Sequence, residues 1–134
     1  MKVIVDTSIW SLALRRSSKQ QPGPTNELRA LIEDYRVQMI GPVRQEILSG
    51  IRDTRQFKKL EEKLRSFPDH PLSTKDYVQA ASFYNLCRSK GVQGSNTDFL
   101  ICSVAISNGF AIFTADKDFR LFARHLPIQL HEHG

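Results

Sequence analysis

Four acidic residues, Asp6, Glu46, Asp98 and Asp116, fall where carboxylates can gather on one edge of a parallel sheet. Asp6 directly follows the apolar run Val3-Ile4-Val5, and Asp116 comes just after Phe110-Ala111-Ile112-Phe113. In an open parallel sheet the ligand crevice lies outside the carboxyl ends of the strands, so aspartates delivered there from opposite ends of the chain can meet. Glu46 lies about one turn into a helix that starts at Gly41-Pro42, and Asp98 lies in the first turn of another. Right-handed crossovers send each strand's carboxyl end and the following helix's amino end to the same side of the sheet. Asp98 follows a loop rather than a strand, so its place on that edge rests on helix direction alone.

Carboxylates a few ångströms apart repel by about 1 to 4 kcal/mol per pair, depending on the effective dielectric, so such a cluster persists only beside a cation. Oxygen-only ligands select a hard ion, and a few carboxylates with several waters suit Mg²⁺ or Mn²⁺. An ion of this kind activates water and neutralises charge on a phosphodiester. Each acid taken singly has a plainer explanation. The helix dipole favours Glu46 or Asp98 near a helix start, and Asp6 serves equally well as a turn or cap residue. Convergence of all four separates the two readings. Ser8 and Thr114 either hydrogen-bond the acids or cap their turns, and Asp118 is either an outer metal contact or the cap of the last helix.

The elements that must position these residues alternate along the chain. A first strand ends at Asp6, and Ser8 caps a short helix carrying Ile9, Trp10, Leu12 and Ala13. Arg15 to Thr25 is a polar, proline-containing loop, and a second helix runs through Leu28, Leu31 and Ile32. Val37 to Ile40 is a short strand, after which Pro42 sits in the first turn of the Glu46 helix, where its missing N–H costs nothing. Phe57, Leu60 and Leu64 form the apolar face of a charged surface helix ended by Pro68. Ser73 to Asp76 caps a long helix that runs to about Lys90 and stops at Gly91. Asn96 or Thr97 caps the helix from Asp98 to about Asn108, which is apolar nearly all round and therefore buried. The second aspartate-tipped strand, a helix through Phe119, Leu121, Phe122 and Leu126, and a last strand near Ile128 to Leu130 complete the order. This alternation predicts one α/β domain with a mainly parallel sheet over residues 1–134.

Composition narrows the function class. The chain has 134 residues, 40% hydrophobic and 25% charged, and no apolar run approaches the roughly 18 residues a membrane span needs. Met1-Lys2 leads straight into a strand without a cleavable apolar region, which argues for the cytoplasm. Cys87 and Cys102 fall inside helical patterns and read as reduced core thiols. Lys and Arg number 19 against 14 Asp and Glu, a net +5 that weakly favours a polyanionic partner. Arg15, Arg16, Lys19, Lys58, Lys59 and Lys63 are candidates to track a nucleic-acid backbone, although most such charges are simply solvated. Gly91-Val92-Gln93-Gly94 is a loop and not a phosphate cradle, since no lysine and threonine follow it. His131 and His133 read as a frayed tail rather than a metal site.

Four segments carry a resemblance. Val3-Ile4-Val5-Asp6-Thr7-Ser8, Pro42-Val43-Arg44-Gln45-Glu46-Ile47-Leu48-Ser49-Gly50, Asp98-Phe99-Leu100-Ile101 and Thr114-Ala115-Asp116-Lys117-Asp118-Phe119 look like the signatures of PIN-domain ribonucleases. The chain more narrowly resembles the VapC toxins of bacterial and archaeal toxin–antitoxin pairs, along nearly its whole length. The resemblance implies an α/β/α sandwich on a parallel sheet, with Asp6, Glu46, Asp98 and Asp116 as an acidic quartet. It also implies Mg²⁺- or Mn²⁺-dependent endonucleolytic cleavage of RNA, homodimerisation, and inhibition by a small VapB-type antitoxin. Cys102 and Ser103 stand where relatives commonly have alanines, a departure that touches packing only.

On this reading Asp6, Asp98 and Asp116 hold metal, and Glu46 either ligates it or orients water. Two rivals remain at this stage. An aspartate-based phosphotransfer domain or phosphatase would use Asp6 as a nucleophile, but it usually wants a second acid two residues on, where this chain has Ser8. A noncatalytic RNA-binding module would keep the fold and its basic surface without the chemistry.

Overall fold

The computed structural model describes residues 1–14 and 22–132. Its sheet is built on three short parallel strands in the order β2-β1-β3. Strand β1 (Val3–Val5) is central and wholly buried, which suits β-branched side chains with neighbours on both faces. It pairs with β2 (Val37–Gln38) through Val3 opposite Val37, and with β3 (Ala111–Phe113) through Val5 opposite Phe113. The Asp6 amide then donates to the Phe113 carbonyl at 2.9 Å, carrying the pairing one residue past the strand.

Seven helices surround the sheet among the described residues: α1 (Thr7–Leu14), α2 (Pro22–Glu33), α3 (Gly41–Leu48), α4 (Thr54–Leu64), α5 (Thr74–Ser89), α6 (Asn96–Asn108) and α7 (Asp118–Phe122). Helices α1, α2 and α3 pack together, and α5 lies along α6, which in turn meets β3. The alternation read from the sequence is therefore the observed α/β order. Helix α6 buries seven consecutive residues, Phe99 to Ala105, as its all-round apolar pattern requires. Ser103 is the polar exception, and its hydroxyl donates toward the Asp76 carbonyl (2.9 Å) and the Gln79 Oε1 (2.8 Å) of α5. Cys87 and Cys102 are free and buried, as expected of core thiols.

Several boundaries differ from the sequence reading. Helix α2 begins at Pro22, inside the expected loop, because prolines 22 and 24 occupy a first turn that needs no N–H from them. Ser8 lies within α1 rather than at its cap. Strand β2 stops at Gln38, since Met39 pairs instead with Asp69 and its carbonyl accepts from His70 N at 2.8 Å. Arg44 holds that neighbouring segment, donating to the carbonyls of Leu64 and Phe67 and to Asp69 Oδ1. Helix α7 ends at Phe122, short of Leu126. The last strand is only a bridge: Ile112 takes one hydrogen bond from His131 N and gives one to Gln129 O, and β3 is too short to extend the pairing. His131 is no frayed tail, because its Nε2 meets Glu27 Oε2 at 2.5 Å. His133, Arg15, Arg16 and Lys19 lie outside the described residues, while Lys58, Lys59 and Lys63 are exposed on α4.

The loop before α6 is held by contact rather than by regular structure. A Cβ at Gly94 would sit 2.5 Å from Phe122 Cζ and 2.9 Å from Phe99 Cε2, two rings that are fully buried and 4.8 Å apart. Neither ring can retreat without disturbing the core. Gly94→Ala is therefore expected to lower unfolding free energy by about 1 to 3 kcal/mol, read by urea denaturation.

Candidate active site

Asp6 is the buried member of the acidic group, only 5% exposed. Its Oδ2 accepts hydrogen bonds from Ser8 Oγ and Thr114 Oγ1, both at 2.8 Å. The two hydroxyls are themselves fixed from β3's extension. Ser8 Oγ accepts from Ala115 N at 3.0 Å, and Thr114 Oγ1 accepts from Asp116 N at 2.9 Å. Each hydroxyl thus receives an amide proton and gives its own to Asp6, so its orientation is set. Burial raises the Asp6 pKa, the hydrogen bonds from Ser8 and Thr114 pull against that rise, and the charge of Asp116 adds to it.

Asp98 reaches the same end of the sheet from α6. Ser95, not Asn96 or Thr97, is the cap: its Oγ accepts from Asp98 N at 3.1 Å, while Asp98 Oδ2 accepts from Ser95 N at 2.9 Å. This capping box fixes one carboxylate oxygen and aims the side chain. Desolvation lifts the Asp98 pKa to about 6, against the Ser95 hydrogen bonds and with help from the negative charges of Asp6 and Asp116. Asp6 and Asp116 are linked through the Thr114 hydroxyl, and both act on Asp98 as like charges. Asp116 Oδ1 accepts from Asp118 N at 2.9 Å, so Asp118 serves through its amide while its side chain stays exposed.

Glu46 is tethered to Thr7, a residue that the sequence reading did not single out. Thr7 Oγ1 donates to Glu46 Oε1 at 2.6 Å, tying α3 to the residue after Asp6. Nothing in the spacing of Asp6-Thr7-Ser8 singles out Thr7, because the contact spans 39 positions. Ser95 was legible, since Ser-x-x-Asp ahead of an apolar run is a capping-box pattern. Among the described residues, the side chains as they stand form no group of three or more His, Cys, Asp or Glu that could hold a metal ion. The donor chemistry nevertheless suits a hard cation, being all oxygen, and neither salt bridge found among the described residues involves these acids.

The PIN domain's sequence profile matches residues 3–125. The chain belongs to the PIN-domain family. This PIN-domain chain is 31% identical over 131 residues to Ribonuclease VapC11 of Mycobacterium tuberculosis and to VapC ribonuclease Mb1587 of Mycobacterium bovis, across 95% of its own length and 96% of theirs. The PIN fold is also that of two solved structures. VapBC2 from Rickettsia felis, bound to a DNA fragment from its promoter, aligns with a TM-score of 0.76 and 23% identity over 98% of each chain. FitAcB from Neisseria gonorrhoeae aligns with a TM-score of 0.70 and 16% identity, over 97% of this chain and 96% of that one.

The desolvation of Asp98, with the like charges beside it, makes a pH prediction for the PIN domain without divalent ions. Folded Asp98 keeps its proton up to about pH 6, whereas the unfolded chain releases it near 3.8. The folded state therefore binds more protons across that window, and stability falls as pH rises from about 4 through about 6. Thermal unfolding in EDTA should show this decline, and Asp98→Asn should flatten it and raise stability at neutral pH.

Proposed function

We propose that this chain is a metal-dependent endoribonuclease of the VapC type, a toxin held in check by a VapB-type antitoxin. The feature that supports the reading is the linkage of Asp6 to Asp116 through Thr114, whose hydroxyl donates to the Asp6 carboxylate and accepts from the Asp116 amide, with Asp98 held by its capping box at the start of α6. The named relatives are ribonucleases, and the structural neighbours include VapBC complexes of toxin with antitoxin. Antitoxin binding comes to this chain by that likeness, while homodimerisation and a single domain over residues 1–134 are carried by the resemblance of its four motifs to the VapC family.

Asp6, Asp98 and Asp116 would hold Mg²⁺ or Mn²⁺ on this reading, with Glu46 ligating the ion or orienting water. The ion's charge would offset the mutual repulsion of the carboxylates. The bound ion would activate water and neutralise charge developing on the phosphodiester. Ser8 and Thr114 keep Asp6 oriented, the Asp118 amide keeps Asp116 oriented, and Thr7 limits the reach of Glu46. Hydrolysis joins the water oxygen to phosphorus, breaks one P–O ester bond, and returns a proton to the leaving oxygen.

Purified chain freed of any partner is expected to cleave RNA with Mg²⁺ or Mn²⁺ and to stop in EDTA. Asp6→Asn should lower the rate at least about 100-fold, the scale on which removal of one charge-stabilising group falls. Cleavage that survives both controls overturns the metal mechanism. RNA binding without cleavage would point to a noncatalytic module, and phosphate captured on Asp6 to phosphotransfer. Mn²⁺ at about 100 times its Kd should stabilise the fold by about 2.7 kcal/mol in thermal melts, an effect absent from Asp6→Asn.

A further inference from the structure

Thr114 and Asp116 belong to two features at once. They border the acidic centre, and they form one end of a groove of about 590 Å³ beside β3, whose other walls include Lys117, Arg120, His131 and Glu132. The groove is lined by the β3 edge of the sheet, where among the described residues β3 pairs on its free side through the Leu130 bridge alone. Its volume is in the range of clefts that enclose ligands, about 300 to 1,000 Å³. Leu130, half-buried, gives it an apolar patch, while Ile112 beneath is wholly buried.

Its cations are attached to the acidic centre by the chain itself. Lys117 follows Asp116, and the Arg120 amide donates to the Lys117 carbonyl at 3.0 Å, so the two side chains emerge one helical turn apart on the same side. Both residues are exposed. The ion pairs among the described residues are Arg44 with Asp69 and His131 with Glu27, so neither Lys117 nor Arg120 is occupied in one. Asp116, Asp118 and Glu132 stand nearby in chain or groove and leave this corner without a strong net charge. Two unpaired cations beside an acidic centre are what a polyanion needs in order to approach it, because the carboxylates alone would repel the flanking phosphates. An arginine adds two parallel donors suited to phosphate oxygens.

We infer that this groove is a subsite for the RNA phosphate next to the one that is cut, held by Arg120 and Lys117, with the adjoining sugar against Leu130. The inference rests on the ribonuclease reading and adds the path of the strand to it. Lys117 and Arg120 bind and position here without taking part in the bond change.

The test uses the full chain and a pool of sequence-randomised single-stranded RNA. Binding is measured by anisotropy in EDTA between about 50 and 200 mM salt, and cleavage is measured separately with Mg²⁺. The Lys117→Gln/Arg120→Gln double variant should raise Kd about tenfold and reduce the slope of log Kd on log salt by about 0.7 per lost contact. Its KM should rise while kcat stays within about twofold, since no transition-state contact is removed. Arg120→Lys should recover part of the affinity, and Lys2→Gln, at the amino end of β1, should match the unaltered protein. Thermal melts will be unchanged, because both side chains are exposed. An unchanged Kd and salt slope in the double variant would overturn the subsite, as would an equal loss in Lys2→Gln. Unchanged RNA affinity with lost binding of an acidic peptide would give the pair to a protein partner instead. If the unaltered protein neither binds nor cleaves RNA, the ribonuclease reading itself fails and the subsite falls with it.

Discussion

Val5 pairs with Phe113 in parallel register, and the Asp6 amide extends that ladder to the Phe113 carbonyl, so the residues after β1 and β3 emerge side by side. Everything at the site depends on that adjacency. It lets Thr114 reach Asp6 across 108 positions and lets Ala115 hold Ser8 across 107. A buried carboxylate needs hydrogen bonds to replace lost water, and here both side-chain donors are themselves set by backbone amides of the β3 extension. A one-residue slip in the pairing would turn β3's side chains to opposite faces and undo the arrangement.

The remaining members are attached to this clamp by local devices. Ser95 aims Asp98, Thr7 tethers Glu46, and the Asp118 amide aims Asp116. The Ser95 and Asp118 devices span two or three residues and the Thr7 tether crosses 39; each uses one carboxylate oxygen, so each acid is oriented before any ion or substrate arrives. The electrostatic cost of assembling them appears in the raised pKa of Asp6 and Asp98, where desolvation is the largest cause and like charge adds to it. Packing supports the same end of the fold. Gly94 lies against Phe99 and Phe122, and Gly109 closes α6 in the left-handed conformation at φ 70°, so the Asp98 helix is fixed at both ends.

Sheet edge, acidic centre and basic turn are also continuous in sequence on one side. Thr114 to Arg120 supplies a donor to Asp6, the acid Asp116, the Asp118 amide that orients it, and, on either side of Asp118, the cations Lys117 and Arg120. Short-range order of this kind lets a single segment serve both chemistry and substrate path. It also explains why Asp118, which looks like a fifth acid in the sequence, contributes its backbone and leaves its side chain in solvent.

Much of this was legible from residues alone. The aspartate-tipped apolar runs required buried strands, Pro42 required a helix start ahead of Glu46, and the all-round apolar stretch after Asp98 required a buried helix. These are local consequences of side-chain volume, branching and missing N–H groups, so the chain carries them wherever it folds. Tertiary structure alone decided the partners. Whether Thr114 would cap its turn or bind Asp6, whether His131 would fray or meet Glu27, and that Thr7 would hold Glu46, all turn on contacts between segments tens of residues apart. Local patterns cannot encode such contacts, because the distance between those side chains is set by strand register and helix packing rather than by their spacing along the chain.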